Sequence, residues 1–506
     1  MVLPSDDGRT GGVRRMKERI KKLADNRIVI GIALFVIAVA TSFAASNNPL
    51  AVGRIGRDSS VFHYVARVMR QGGMPYLDTF DHKGPLIYLI DAAGLAISKD
   101  IGVWIMEVLF LCAAYFFAYK LARLLGCGRI YAVAAVAVCA LALRYYFEGG
   151  NQVEEYAFAL VMISLYVFAK FFLKDSAHWY DLLLCGASFG AVCMLRINMV
   201  ALWAVMCIGV LISCIRKNQA KKLVPYLAWF LAGAALVILP IVIWLCANGA
   251  WSAFIEDYFL FNFKYTSDAE RASFRMILQA AEYFIKAMPF ILGTIFLLHY
   301  AVEKNRMFEW LCVSSLVLTL ASMCMSGQSY GHYGMILCPL IFIAFAYALA
   351  EISMKTKGKE LEIKISDKER KVRVIVVKTV ILIALLFLAS RNRPKVVTEY
   401  ETGLEEIAKI ITDNTTEADK ITVCGNRDCV YLCANRMAAS KYSYQDPIAS
   451  VDSAIKEEFI EDVKKLDAGI IVISTSSSWH KELDGIIAQY YSLAGSVNGT
   501  EIYRRK

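Results

Sequence analysis

The sequence has little charge for its length. Charged residues make up 20% of the 506 residues, whereas hydrophobic residues make up 58%. A soluble domain usually has roughly 45–50% apolar and about 25% charged residues. This composition excludes a soluble dehydrogenase, a secreted disulfide scaffold and a coiled coil, and it indicates a membrane protein.

The sequence also lacks a cysteine framework. Most of the 14 cysteines lie inside apolar runs, where a thiol behaves as a small hydrophobic group. Cys424, Cys429 and Cys433 lie in the polar C-terminal part, without a CxxC motif or a nearby histidine. A zinc site is therefore not predicted, and one disulfide among these three cysteines stays open.

The positive charge follows the apolar part of the chain. The net charge is +10, although residues 391–506 hold fifteen basic and eighteen acidic residues. Basic loops between apolar segments are expected from the positive-inside rule. They explain the charge without a nucleic-acid partner.

Eleven apolar runs are long enough to cross a bilayer, which takes about 20 residues. The first run, residues 28–45, is too long for the apolar core of a cleavable signal peptide, so no signal peptide is expected. We find no inverted internal repeat of the kind that many transporters have. The predicted spans are residues 28–45, 101–119, 130–147, 153–173, 180–196, 198–215, 224–247, 281–301, 308–325, 333–350 and 374–390.

A twelfth apolar run, residues 85–98, decides the orientation. If it lies in the interface or re-enters, the loops on the side of the basic N-terminus hold nineteen basic residues and the opposite loops hold five. If it spans, the nineteen lie opposite the N-terminus. The first arrangement obeys the positive-inside rule. We therefore predict a cytosolic N-terminus (1–27), a transmembrane domain (28–390) with a long first external loop (46–100), and an extracytoplasmic C-terminal domain (391–506).

The C-terminal domain has the pattern of a small α/β fold. Helical patterns at 403–412 and 454–466 alternate with short apolar strands at 420–424, 468–474 and 502–503. Such alternation is typical of helices packed on a sheet. The predicted fold class is an α-helical polytopic membrane protein with a small C-terminal α/β domain.

Titratable residues are concentrated in the first external loop. Asp58-Ser59-Ser60 precedes an amphipathic stretch and reads as a helix N-terminus, where a carboxylate is favoured. Asp78, Asp81, His82 and Lys83 follow in the same loop. A titratable cluster at a cleft facing the membrane is a candidate functional site. Asp91 and Glu107 lie near apolar runs, and no role is predicted for them.

The loop motif resembles a known superfamily. An aspartate shortly after the first span, followed by G-x-x-P-Y-x-D-x-F-D-H-K-G-P-L from Gly72 to Leu86, is similar to the GT-C superfamily of polyprenyl-phosphate-sugar glycosyltransferases. Relatives include protein O-mannosyltransferases and aminoarabinose transferases that modify lipid A. Residues 149–156, 196–198 and 327–333 also fit, and the resemblance covers about residues 28–350. Ser59 stands where some relatives have a second carboxylate.

The resemblance implies roles for individual residues. Asp58 would be the general base of a single inverting displacement, and Lys83 and Arg196 would bind the donor phosphate, with His332 as a third candidate. Asp81 and His82 would bind a divalent ion or hydrogen-bond within the loop, and we favour the second. No cofactor is expected, and a divalent cation is left open. The residues that would contact a sugar or support the site are Glu154, Glu155, Asp81, His82 and Tyr76.

Each of these residues also has a plainer interpretation. Lys83 could anchor the loop at the lipid headgroups. Arg196 could simply mark a turn between helices, and His332 could belong to an aromatic belt at the membrane interface. Glu154 and Glu155 fit solvated loop positions. These alternatives stay open at the level of sequence.

The chemistry supports an outward-facing glycosyltransferase. Nucleotide sugars are cytosolic, so an enzyme on the outer face needs a lipid-borne donor, a base for the acceptor hydroxyl and stabilisation of the departing phosphate. We predict transfer of a monosaccharide from a polyprenyl phosphate to a cell-envelope glycan, lipid or protein. The alternatives are a transporter or flippase, or a polymerase or ligase, of lipid-linked glycans.

Overall fold

The computed structural model describes residues 26–51, 56–267, 273–356 and 403–506. The described residues up to 356 are mainly helical, with short 3-10 turns at Ile197–Met199, Ala220–Lys222 and Gly331–Leu337 and a π-helical turn at Ile255–Leu260. Its helices are α1 Arg27–Ser42, α2 Arg57–Arg70, α3 Pro85–Ile97, α4 Gly102–Leu124, α5 Arg129–Tyr146, α6 Val153–Lys174, α7 Trp179–Leu195, α8 Ala201–Arg216, α9 Leu223–Ala247, α10 Trp251–Phe254, α11 Phe261–Ser267, α12 Phe274–Ile285, α13 Met288–Lys304, α14 Met307–Cys324 and α15 Cys338–Thr356.

The helices have the lengths and composition of a membrane protein. Within the described ranges, six are long and apolar enough to cross a bilayer, namely α4, α5, α6, α9, α14 and α15 with the turn before it. Helices α1, α3, α7 and α8 are apolar but shorter, with 10–17 residues. The first ten predicted spans fall mainly on helical residues, although one of them is divided between two helices, and 374–390 lies outside the described residues. The number of crossings stays a prediction.

One predicted span is wrong as a single helix. The run 281–301 is divided between α12 and α13, which meet at an angle of 81°. Pro289 lies in the first turn of α13. Proline has no amide hydrogen, which does not matter in the first turn of a helix. In the interior of a continuous helix it would leave a carbonyl group without its hydrogen-bond donor, and its ring would clash with the preceding turn.

Helices α7 and α9 pack closely because glycines face the opposing backbone. A Cβ atom on Gly186 would lie 1.9 Å from the carbonyl oxygen of Phe230, and one on Gly233 would lie 2.0 Å from that of Leu183. Small residues allow this approach between membrane helices. The contact fixes α7, whose last residue directly precedes Arg196.

Residues 403–506 form a small α/β unit, here called the C-terminal unit. Its described residues contain a five-stranded sheet of order β2-β1-β3-β5-β4. Strand β1 pairs in parallel with β2 and β3, and β5 pairs antiparallel with β3 and β4. The elements are α16 Leu404–Asn414, β1 Lys420–Val423, α17 Cys429–Ala434, β2 Met437–Ala438, α18 Asp446–Ala449, α19 Ser453–Lys464, β3 Ala468–Ser474, α20 Trp479–Tyr490, β4 Tyr491–Val497 and β5 Thr500–Arg505.

This unit confirms the predicted fold class. The predicted strands at 420–424, 468–474 and 502–503 coincide with β1, β3 and β5, whereas β2 and β4 were not predicted. Cys424, Cys429 and Cys433 are free thiols.

The C-terminal unit packs on α2 and on the loop that follows it. The amide of Ala438 donates to the Tyr64 hydroxyl at 2.8 Å, and the Tyr64 ring lies 5.1 Å from that of Tyr431. The amide of Phe80 donates to the carbonyl of Lys441 at 2.9 Å. The loop between α2 and α3 therefore lies between the helical domain and the C-terminal unit.

Candidate active site

Asp58 lies in the first turn of α2, one residue after the helix begins at Arg57. The chain before it is fixed by Ser46, whose hydroxyl accepts from the amide of Gly56 at 3.0 Å and donates to the carbonyl of Gly149 at 2.7 Å. The Asp58 side chain is exposed. The structure therefore presents a solvent-accessible carboxyl group at the start of α2, where Ser46 ties the preceding chain to the α5–α6 loop.

A buried polar network lies directly behind Asp58. Asn151 adopts a left-handed conformation with φ 53°, which asparagine tolerates better than most residues. Its side-chain amide donates to Asp91 at 2.9 Å and to Ser59 at 3.1 Å. Its backbone amide donates to Glu155 at 3.0 Å and also to Glu107. The network joins α2, α3, α4 and α6.

His63 belongs to the same network. Its Nδ1 atom lies 3.1 Å from Asp91 Oδ2 and 2.9 Å from the carbonyl oxygen of Ser59. Burial is the largest single influence and lowers the pKa of His63, but the charge of Asp91 and the hydrogen bonds to Asp91 and Ser59 together raise it above its usual value. The sequence did contain a signal for Asp91 and Glu107, because an acidic residue in an apolar run is costly unless it is paired.

The loop before α3 holds Lys83 close to the end of α7. The Tyr76 hydroxyl donates to the carbonyl of Lys83 at 2.8 Å. The next amide, that of Gly84, donates to the carbonyl of Leu195 at 2.9 Å. A Cβ atom on Gly84 would lie 2.1 Å from the carbonyl oxygen of Met194. Glycine is therefore required for this contact, which brings Lys83 beside the turn that carries Arg196.

Arg196 lies at the break between α7 and α8. The sequence had suggested that it lies at a turn between helices. Its Nη1 atom donates to Glu154 Oε1 at 2.8 Å and its Nη2 atom donates to the Tyr333 hydroxyl at 3.0 Å. The guanidinium lies 4.6 Å from the centre of the Tyr333 ring. These residues line a small cavity together with Asn198, Met199, Met323 and Ile336.

Lys83 interacts electrostatically both with Asp58 at the start of α2 and with the pair of Arg196 and Glu154. The pKa of Lys83 is lowered, mainly by burial. The negative charge of Asp81 opposes this change, as do the smaller effects of Asp58 and Glu154, whereas the positive charge of Arg196 adds to it. All four charged residues therefore lie near enough to act on Lys83. Asp58 and Arg196 therefore both act on the charge of Lys83.

Asp81 and His82 have partners within the loop and beyond it. Asp81 accepts from the hydroxyls of Tyr88 and Tyr444, both at 2.7 Å. The His82 ring stacks on Tyr265 with 6.0 Å between ring centres. Across the residues with described positions, no three His, Cys, Asp or Glu side chains are grouped so as to hold a metal ion. Within the loop, the amide of His82 donates to Asp81 Oδ1 at 2.8 Å. The choice between a divalent ion and a hydrogen-bonding role stays a prediction.

His332 lies next to Glu154 but pairs with a residue that the sequence did not single out. Its Nδ1 atom is 3.0 Å from Glu148 Oε2, and its Nε2 atom is 4.0 Å from Glu154 Oε2. The hydrogen bond from His332 lowers the pKa of Glu148. The two neighbouring glutamates are separated, because Glu154 faces the cavity and Glu155 faces the buried network.

Solved structures share this architecture. ArnT from Cupriavidus metallidurans bound to undecaprenyl phosphate matches with a TM-score of 0.61 and 12% identity, over 94% of this chain and 97% of that chain. Its apo form matches with a TM-score of 0.64 and 12% identity, over 93% and 97%. Archaeal oligosaccharyltransferase AglB from Archaeoglobus fulgidus, in complex with an inhibitory peptide and a dolichol-phosphate, matches with a TM-score of 0.56 and 12% identity, over 94% and 74%.

These neighbours have the GT-C fold, so the predicted fold is confirmed and the chain is a membrane protein of that architecture. A comparison with curated proteins finds no match. The model of a family described as the competence-induced protein Ccs4 N-terminal domain matches residues 17–392. Since this range is more than half of the chain, the protein belongs to the Ccs4 N-terminal domain family.

Proposed function

We propose that the protein is a membrane glycosyltransferase that moves a monosaccharide from a polyprenyl-phosphate carrier to a cell-envelope acceptor on the outer face. One observation carries the proposal. The Gly84–Leu195 contact holds Lys83 beside Arg196, within electrostatic reach of Asp58. The undecaprenyl phosphate bound to ArnT and the dolichol-phosphate bound to AglB support a lipid phosphate as the donor class.

Asp58 would act as the general base. Its carboxylate takes the proton of an acceptor hydroxyl while the hydroxyl oxygen forms a bond to the anomeric carbon. The bond from that carbon to the phosphate oxygen breaks at the same time, and its electron pair leaves with the phosphate. A single displacement of this kind inverts the anomeric configuration. The exposure of Asp58 at the start of α2 suits a base that must meet an incoming acceptor.

Lys83 and Arg196 would stabilise the departing phosphate, on which negative charge develops. Arg196 already donates to Glu154 and Tyr333. A guanidinium has five N–H donors, so it can hold these partners and also bind phosphate oxygens. Glu154 and Tyr333 then orient the guanidinium, and His332 would contribute from its position beside Glu154.

The charge distribution supports an outward-facing site. The C-terminal unit packs on the same loop that carries Asp81, His82 and Lys83. The positive-inside rule places this loop opposite the basic loops. A lipid-borne donor is the form in which an activated sugar reaches that side.

The experiment is a transfer assay with purified protein in lipid nanodiscs. A panel of undecaprenyl-phosphate monosaccharides, each labelled in the sugar, is incubated with cell-envelope material. We expect label to enter the acceptor fraction and unlabelled undecaprenyl phosphate to be released. Absence of sugar transfer from every donor would contradict the proposal, and movement of the intact lipid-linked sugar across a vesicle bilayer would favour a transporter.

A further inference from the structure

The C-terminal unit places one side chain inside the site. Tyr444 lies between β2 and α18 and is 3% exposed. Its hydroxyl donates to Asp81 Oδ1 at 2.7 Å and lies 3.3 Å from His82 Nδ1. This residue is 363 positions away from Asp81 in the chain, and it brings a side chain of the unit to the loop that carries Lys83.

The hydrogen bonds define the state of His82. Lys83 Nζ lies 2.7 Å from His82 Nε2. When Lys83 is protonated, its ammonium group has only donors, so Nε2 accepts and the ring proton is on Nδ1. Nδ1 lies 3.4 Å from Asp81 Oδ1, close to the Tyr444 hydroxyl. Burial, followed by the charges of Lys83 and Arg196, lowers the pKa of His82 well below its usual value, which keeps the ring neutral.

Resting on the function proposed above, we propose that Tyr444 is a positioning residue for Lys83 and acts through Asp81 and His82. The Tyr444 hydroxyl and Tyr88 hold the two oxygens of Asp81. The carboxylate in turn faces the protonated nitrogen of His82, and the other nitrogen holds the ammonium of Lys83. The C-terminal unit thereby completes the phosphate site.

The segment that carries Tyr444 is itself well fixed. The Gln445 side-chain amide donates to the carbonyl of Tyr442 at 2.8 Å, and the Gln445 side-chain oxygen accepts from the amide of Gly425 at 2.9 Å. Lys441 lies 3.4 Å from Asp257 of the helical domain. Because these contacts hold the segment on both sides, Tyr444 is preorganised toward the loop.

The test measures binding of undecaprenyl phosphate to the full-length protein in nanodiscs. Tyr444→Phe keeps the ring and removes the hydroxyl, and we expect it to weaken binding about tenfold, as for loss of a hydrogen bond to a charged group. Tyr442→Phe is the matched control. Its hydroxyl donates to Glu458 within the C-terminal unit, so we expect binding to be unchanged.

A double-mutant cycle separates positioning from a general structural role. If Tyr444 acts through Lys83, the effect of Tyr444→Phe disappears in a Lys83→Ala background. The effect would persist undiminished if Tyr444 only supported the fold, and that result would overturn the inference. Equal binding by Tyr444→Phe and wild type, or an equal loss in Tyr442→Phe, would also overturn it.

A second pair of variants tests the same series of hydrogen bonds and can be used if Tyr444→Phe does not fold. A glutamine side chain can accept from Lys83, whereas leucine cannot. We expect His82→Gln to bind undecaprenyl phosphate more tightly than His82→Leu, and equal binding would contradict the inference. Failure of the proposed function is distinguishable, because wild-type protein would then show no sugar transfer in the assay above, whereas failure of this inference leaves wild-type transfer intact.

Discussion

Replacing Arg196 by alanine removes one partner of a buried ion pair. The side chain of Arg196 is 15% exposed and that of Glu154 is 3% exposed, and their charged atoms are 2.8 Å apart. Breaking such a pair costs about 3–5 kcal/mol, because the remaining charge is buried without compensation. We expect this loss in the free energy of unfolding of Arg196→Ala. We also expect sugar transfer to slow by about 10²-fold or more, as for loss of a group that stabilises transition-state charge.

A second substitution separates these two effects. In the double variant Arg196→Ala/Glu154→Gln, the buried carboxylate is replaced by a neutral amide, so we expect most of the lost stability to return. Transfer should stay low, because no guanidinium is left to meet the phosphate. Unfolding is followed by fluorescence in detergent, and transfer is followed with labelled undecaprenyl-phosphate sugar.

The control is an exposed ion pair of the same length. Lys217 and Asp175 are 2.8 Å apart, with side chains 45% and 62% exposed. Lys217→Ala should change stability by only about 0–1 kcal/mol. The reasoning is refuted if Arg196→Ala is as stable as the wild type, or if the double variant recovers transfer together with stability. The second result would leave Arg196 as a marker of the turn between α7 and α8.

Two further predictions follow from the loop and from the C-terminal unit. Lys83→Ala should lower kcat/KM for a short-chain donor by about 10²-fold or more, and wild-type kinetics would place the phosphate site elsewhere. Burial raises the pKa of Asp428 from 3.8 to about 7, so protonated Asp428 stabilises the folded state. This contribution to the free energy of unfolding is fully present below the pKa of the unfolded state and is lost as the pH rises through about 7. It amounts to about 4 kcal/mol. Asp428→Asn should therefore raise the Tm at pH 8 and flatten the decline of Tm between pH 5 and 8, and an unchanged slope would contradict this.

Most of the helical architecture could be predicted from the sequence, because length and hydropathy are local properties. The bend between α12 and α13 was missed because hydropathy does not record helix direction, although Pro289 was visible. Strand β2 has two residues, and β4 has a register irregularity between Leu493 and Gly495. Neither strand has the regular alternation that marks a half-buried strand.

The site was predictable where its residues are close in sequence. The motif from Gly72 to Leu86 located the loop, and Asp58 stood out as a carboxylate at a helix start. The contact of Gly84 with Leu195 and that of Tyr444 with Asp81 join distant parts of the chain. No local pattern encodes such contacts, since they depend on how the helices and the C-terminal unit pack.

Asp58→Asn removes the proposed base for transfer from a lipid phosphate and leaves the rest of the site in place. Asparagine has nearly the same shape but cannot accept the proton of the acceptor hydroxyl. We expect this variant to insert in the membrane and bind undecaprenyl phosphate like the wild type, while sugar transfer is abolished. Near-normal turnover in Asp58→Asn would contradict the account.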